Sequence, residues 1–216
     1  MPVVLMVSSM TIAVTILGST KCAAEWQLVY SEDWSDGTGA WSNSQSMYPG
    51  RAPKRIFVGR PPLANYVMYF WGGCGWGFNT GTYPSTPLMV KTTIYAFGSD
   101  RNAFSVNMRT GGGVQVYKYG LGGGNRIIAN KQPPAFYYKE TDLTYSTRVP
   151  YELYSIWVPG TAHYALGIKN LLTGQERLSK RYWLCRSYEA PSLIDIDQEG
   201  GRGPVALIKV DVSLWR

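Results

Sequence analysis

Phe104-Ser105-Val106-Asn107-Met108 decides the fold: its apolar residues fall on one side of an extended chain and its polar residues on the other. Successive side chains of a β-strand point to opposite faces, so the run reads as a strand with one face in a core. It runs into Gly111-Gly112-Gly113, and a second ring-rich run, Val114 to Tyr119, follows, as in a hairpin. The same pattern extends in both directions. Upstream lie Glu25 to Tyr30, Ile56 to Val58, Tyr66 to Trp71 and Leu88 to Phe97, with Ala103 to Met108 enclosing the quoted stretch. Downstream come Arg126 to Ala129, Leu153 to Val158, Ala162 to Ile168, Tyr182 to Cys185 and Val205 to Trp215. Gly122-Gly123-Gly124-Asn125, Pro159-Gly160 and Leu171-Leu172-Thr173-Gly174 supply the turns between them. No segment of useful length has helical period. Many short strands at this spacing predict an all-β, two-sheet antiparallel sandwich of the jelly-roll kind. No repeat or linker divides the chain, so residues 25–216 read as one domain, with Ser35 to Pro53 as a long surface loop.

Composition narrows the class. Thirty of the 216 residues are aromatic, charged residues make up only 16%, and there are 24 glycines and 13 prolines. Low charge with abundant turn formers suits an exported β-domain better than a helical cytosolic enzyme. The formal net charge of +7 favours an anionic partner. Its Lys and Arg are scattered, however, with Arg51, Lys54, Arg55 and Arg60 the densest stretch. Nucleic-acid binding normally shows a clustered basic stripe, so no nucleic-acid partner is expected, while an acidic polysaccharide fits the charge.

Residues Met1 to Gly18 are apolar or small, and Cys22-Ala23-Ala24 follows shortly after. That is the form of a secretory signal peptide over residues 1–24, placing the protein outside the cell, in the periplasm or at the cell surface. The leader lacks a basic start, which leaves an uncleaved anchor as the alternative. No later stretch is long and apolar enough to span a membrane. Removal of the leader leaves Cys74 and Cys185, whose even count permits one disulfide, or two separate buried thiols.

Both ends of the mature chain carry a recognisable pattern. The opening Val29-Tyr30-Ser31-Glu32-Asp33-Trp34-Ser35-Asp36-Gly37 with Trp41, and the closing Ile208-Lys209-Val210-Asp211-Val212-Ser213-Leu214-Trp215, resemble the first and last strands of concanavalin A-like jelly rolls. Tyr151 to Gly174 is similar to a pair of strands in the same superfamily. That superfamily includes lectins, laminin-G-like modules, family-16 β-glucanases and polysaccharide lyases, so the resemblance implies the fold and leaves the activity open. It also implies a structural calcium held by the last-strand Asp211, with Glu32 or Asp33 near it, oxygen ligands of the kind a hard cation takes. Asp211 also reads as a plain solvent-facing residue of an alternating strand. No other cofactor is called for.

Two kinds of site remain. Retaining β-glucanases of this superfamily carry Glu-x-Asp-x-Glu on one strand face. Here Asp195-Ile196-Asp197-Gln198-Glu199 has the spacing but a shorter first residue, and its place just before Gly200-Gly201 reads as an acidic loop or strand end. The lyases abstract a proton with Tyr or His, and His163 is the only histidine. Catalytic candidates are therefore Asp197, Glu199 and His163, for a glycoside hydrolase or polysaccharide lyase. The stretch Tyr69-Phe70-Trp71-Gly72-Gly73-Cys74-Gly75-Trp76-Gly77-Phe78-Asn79 points instead to binding. Rings separated by glycines are left uncovered by their neighbours, and exposed apolar surface marks interaction sites. Trp71, Trp76 and Tyr83 are the expected stacking rings for a glycan, with Asn79 and Arg109 to bond its hydroxyls. The alternative is that these rings fill the core.

Overall fold

The computed structural model describes residues 24–42, 52–60, 63, 65–98, 104–130, 138–198 and 203–216. Residues 1–23 of the leader, Glu199 and the whole stretch between Ser42 and Ala52 lie outside the described residues. Fifteen strands form two antiparallel sheets, and no helix occurs among the described residues.

The larger sheet holds nine strands: β1 (Trp26–Glu32), β2 (Lys54–Phe57), β3 (Tyr66–Phe70), β5 (Leu88–Ala96), β10 (Pro150–Trp157), β11 (His163–Asn170), β12 (Glu176–Leu178), β13 (Trp183–Leu184) and β15 (Val205–Trp215). Its order is β12-β11-β10-β5-β15-β3-β2. β15 is the longest strand and pairs along one edge with β5. Its other edge pairs with β3 at Val205–Leu207 and with β1 from Val210 onward. The first strand is thereby tied to the last, as their shared alternation requires.

The smaller sheet runs β4-β14-β6-β7-β8-β9, from β4 (Cys74–Asn79), β14 (Leu193–Gln198), β6 (Phe104–Arg109), β7 (Gln115–Leu121), β8 (Arg126–Asn130) and β9 (Tyr138–Thr144). The chain changes sheets repeatedly, so neither could bury its apolar face alone. The result is the expected jelly-roll sandwich.

Alternation decides what lies between the sheets. Phe104, Val106 and Met108 of β6 are buried, as are Ile194 and Ile196 of β14 and Tyr117, Tyr119 and Leu121 of β7. Opposite them stand Leu153 and Trp157 of β10 and Tyr164 and Leu166 of β11. Rings dominate the contact: Tyr117 stacks on Tyr164 across the sheets at 4.3 Å between centroids, and Phe70 meets Phe104 edge-on at 5.7 Å. Buried phenols need polar partners. The Tyr117 hydroxyl shares a hydrogen bond with Ser155 Oγ at 3.1 Å, and the Tyr164 hydroxyl donates to the Lys118 carbonyl at 2.9 Å. Burial drives the hydroxyl pKa of both tyrosines well above the ordinary value.

Four elements depart from the sequence reading. Cys74 to Asn79 is a strand whose rings fill the core, the alternative reading of that segment. Leu193 to Gln198 is also a strand, seated between β4 and β6, so the acidic stretch is the end half of a strand rather than a loop. β9 and β12 are also additional, because Tyr138–Thr144 and Glu176–Leu178 carry little apolar alternation.

Candidate functional site

Trp71 follows β3 directly and is 51% exposed. Behind it the chain crosses to the other sheet through Gly72 (φ 67°) and Gly73 (φ 74°), left-handed conformations that favour glycine. Trp71 lines an open pocket of about 460 Å³ with Ala52, Lys54, Gly72 and Cys74. Lys54, opposite Tyr69 on β2, places its ammonium 5.4 Å from the Trp71 ring centroid, a cation–π contact. The site thus offers a flat apolar face, one cation and open space, among the atoms a carbohydrate can use.

Trp76 does not join it, and this corrects the expected platform. On β4 the Cys74, Trp76 and Phe78 side chains all face the core, and Gly75, Gly77 and Asn79 face outward. Trp76 is only 6% exposed, stacked on Trp34 at 5.9 Å and tilted against Trp41 at 6.2 Å. Local alternation could not show which side was buried, since the covering rings come from residues 34 and 41. Tyr83, beyond β4, packs half-buried against the core and is not among the residues lining the Trp71 pocket. Asn79 is exposed, but its Oδ1 accepts from the Gly81 amide at 2.9 Å.

The outward face of the six-stranded sheet carries a separate polar network. Register puts Asn79, Leu193, Arg109 and Gln115 in one row, Gly77, Asp195, Asn107 and Lys118 in the next, and Gly75, Asp197 and Ser105 in a third. Asp195 and Asp197 are fully buried. Buried carboxylates require compensating charge and hydrogen bonds. Arg109 lies 3.4 Å from Asp195, Lys118 lies 3.6 Å from Asp197, and Asn107 Nδ2 donates to Asp197 Oδ2 at 2.5 Å. Gln115 Nε2 in turn donates to Asn107 Oδ1 at 3.2 Å. Non-local pairing therefore brings Arg109 to Asp195, and Lys118 and Asn107 to Asp197, so the candidates Arg109 and Asp197 sit in one network without touching each other. Both carboxylates are sealed from solvent.

The remaining candidates are dispersed. His163 opens β11, exposed on the far side of the sandwich from Asp197, so the two share no cleft. Glu199 lies outside the described residues. Asp211 pairs with Lys209 at 2.9 Å, and Asp33, whose pKa is lowered chiefly by a hydrogen bond from Ser35, also feels Lys209. Asp211 therefore already has an ammonium as its partner. Among the described residues no three His, Cys, Asp or Glu gather as metal ligands would. Cys74 and Cys185 are not joined to each other. Cys74 sits opposite Gln198 on β14, whereas the amides of Cys185 and Arg186 bond Ala162 and Val116. Three strand spacings of about 5 Å separate β4 from β7, well beyond disulfide reach.

No protein-family profile matches the chain, and no curated protein matches it in sequence. Solved structures do match its fold. The CBM2 module of the evolved Dit of Lactobacillus casei BL23 phage J-1 aligns with a TM-score of 0.59 at 8% identity, over 89% of this chain and 97% of that one. Peanut lectin aligns at 0.51 and 8% identity, over 88% and 98%. A sialidase aligns at 0.54 and 7% identity over 86% of this chain, which spans only 18% of the sialidase's length. The fold is thus the two-sheet jelly-roll sandwich that these structures share.

Proposed function

We propose that this protein is an exported, non-catalytic carbohydrate-binding module, and that Trp71 is its principal contact. The carrying observation is the half-bare indole beside Lys54 at an open pocket, on a lectin-type sandwich. Sugar rings present C–H faces that pack on an indole, and their hydroxyls and carboxylates accept from an ammonium. This reading requires no cofactor. The alternative, a polysaccharide hydrolase on the same scaffold, draws on the facing of Asp195 and Asp197. Their complete burial against Arg109, Lys118 and Asn107 suits a structural role better, since a general acid or base must reach its substrate.

A glycan array with the full chain tests the proposal. Retention on at least one glycan class is expected, lost in Trp71→Ala while far-ultraviolet circular dichroism stays unchanged. New reducing ends or unsaturated uronides from a polysaccharide panel would favour the enzyme.

A further inference from the structure

Trp71 is one corner of a larger surface. On the outer face of the nine-stranded sheet Tyr69 of β3 and Tyr95 of β5 flank Ala206 of β15 in a single cross-strand row. One step along, Trp71 and Phe97 leave the same two strands, with Phe97 bonded to Pro204 through its amide. Phe97 meets Tyr69 at 6.0 Å and Tyr95 at 5.0 Å, so these three rings are continuous. Leu63 folds back over Val67 and Ala206 and bounds the surface on one side. Trp71 and Phe97 form its exposed rim, Phe97 at 38%.

The surface is not uniformly apolar. Neither the Tyr69 nor the Tyr95 hydroxyl bonds to another described residue, and Lys54 makes no ion pair with one. A second exposed cation, Arg148, is held at the Phe97 end by its amide bond to Ala96 O at 2.8 Å. From β3 to β5 is two strand spacings, about 10 Å, room for about two sugar rings side by side. Faces that alternate C–H and hydroxyl fit rings carrying phenols, and the two terminal cations complement carboxylates.

Resting on the carbohydrate-binding reading above, we infer that Trp71, Tyr69, Phe97 and Tyr95, flanked by Lys54 and Arg148, seat an extended acidic polysaccharide, a uronic acid polymer, rather than a single neutral sugar. The chain lies across the strands, its rings on the aromatic surface and its carboxylates at the two cations. The net charge of +7 adds long-range attraction of the same sign.

The test titrates the full chain with polygalacturonate, its methyl-esterified form and a length series of oligogalacturonides. Charged polymer is expected to bind more tightly than esterified polymer. Lys54→Gln lowers affinity for the charged polymer about three- to fivefold and leaves the esterified polymer unaffected. Phe97→Ala weakens longer oligomers about tenfold but spares the disaccharide. Equal binding of charged and esterified polymer overturns the inference, as does an equal loss in Lys139→Gln, which removes an exposed cation from β9 of the other sheet. Self-association that buries these rings, read by sedimentation, also overturns it. If Trp71→Ala abolishes binding to neutral glycans while Lys54→Gln and Phe97→Ala behave as wild type, the carbohydrate reading stands and this inference falls. If no variant alters binding, both fall.

Discussion

Gly120 of β7 stands opposite Ser105, and a Cβ there would lie 2.1 Å from the Phe104 carbonyl oxygen and 2.8 Å from Ser105 Cα. Both obstacles are backbone, so the sheet itself must shift. Gly120→Ala is expected to cost about 3 kcal/mol in chemical denaturation. Gly112→Ala, whose Cβ meets nothing nearer than 3.8 Å, stays within about 1 kcal/mol of wild type. Equal effects would contradict the packing described here. Lys118 makes a similar case in charge. Lys118→Met removes the cation beside the buried Asp197 and is expected to cost about 3 kcal/mol, part of which Lys118→Met/Asp197→Asn recovers in a double-mutant cycle. Cys185 follows a simpler rule: burial pushes its thiol up to about 12. Native protein at pH 8 should resist alkylation at Cys185 that denatured protein accepts rapidly; fast native labelling would show the site open.

At the scale of elements, the link between the sheets' edges is where pH enters. Asp142 of β9 accepts from Ser179 Oγ at 2.7 Å and from the Lys180 amide, just beyond β12. Burial pushes its carboxyl pKa up, but the hydrogen bonds from Ser179 and Lys180 outweigh it and hold the carboxyl below its ordinary value. A depressed folded value means the stabilisation is complete above the unfolded value, near 4, and is lost as pH falls through the folded one. Asp142→Asn should therefore lower the melting midpoint at pH 7 and flatten its decline below about pH 4, an effect under about 1 kcal/mol for so exposed a group. An acid limb identical to wild type would assign the decline to other carboxylates. The elements also show where the sequence could be read. β6 and β15 were legible because their alternation is complete within each strand. β14 alternates as cleanly, but its outward residues are aspartates whose counter-charges, Arg109 and Lys118, lie on β6 and β7, far away in sequence. Trp76 was ambiguous for the same reason: the glycines beside it leave room on either side, and only Trp34 and Trp41 show which side is filled.

For the molecule as a whole, the sandwich follows from short alternating strands and glycine turns, and its two outer faces divide the work. The six-stranded sheet closes its outward polar groups into a buried network, whereas the nine-stranded sheet leaves rings and cations open to solvent. Function is assigned to the second face because that is where unspent binding chemistry remains. Titration of the folded wild-type protein and of Trp71→Ala with the glycan class that the wild type retains tests this most directly. The account predicts saturable binding by wild type and at least a tenfold loss in the variant, about 1.4 kcal/mol. Unchanged affinity in a correctly folded Trp71→Ala would contradict it.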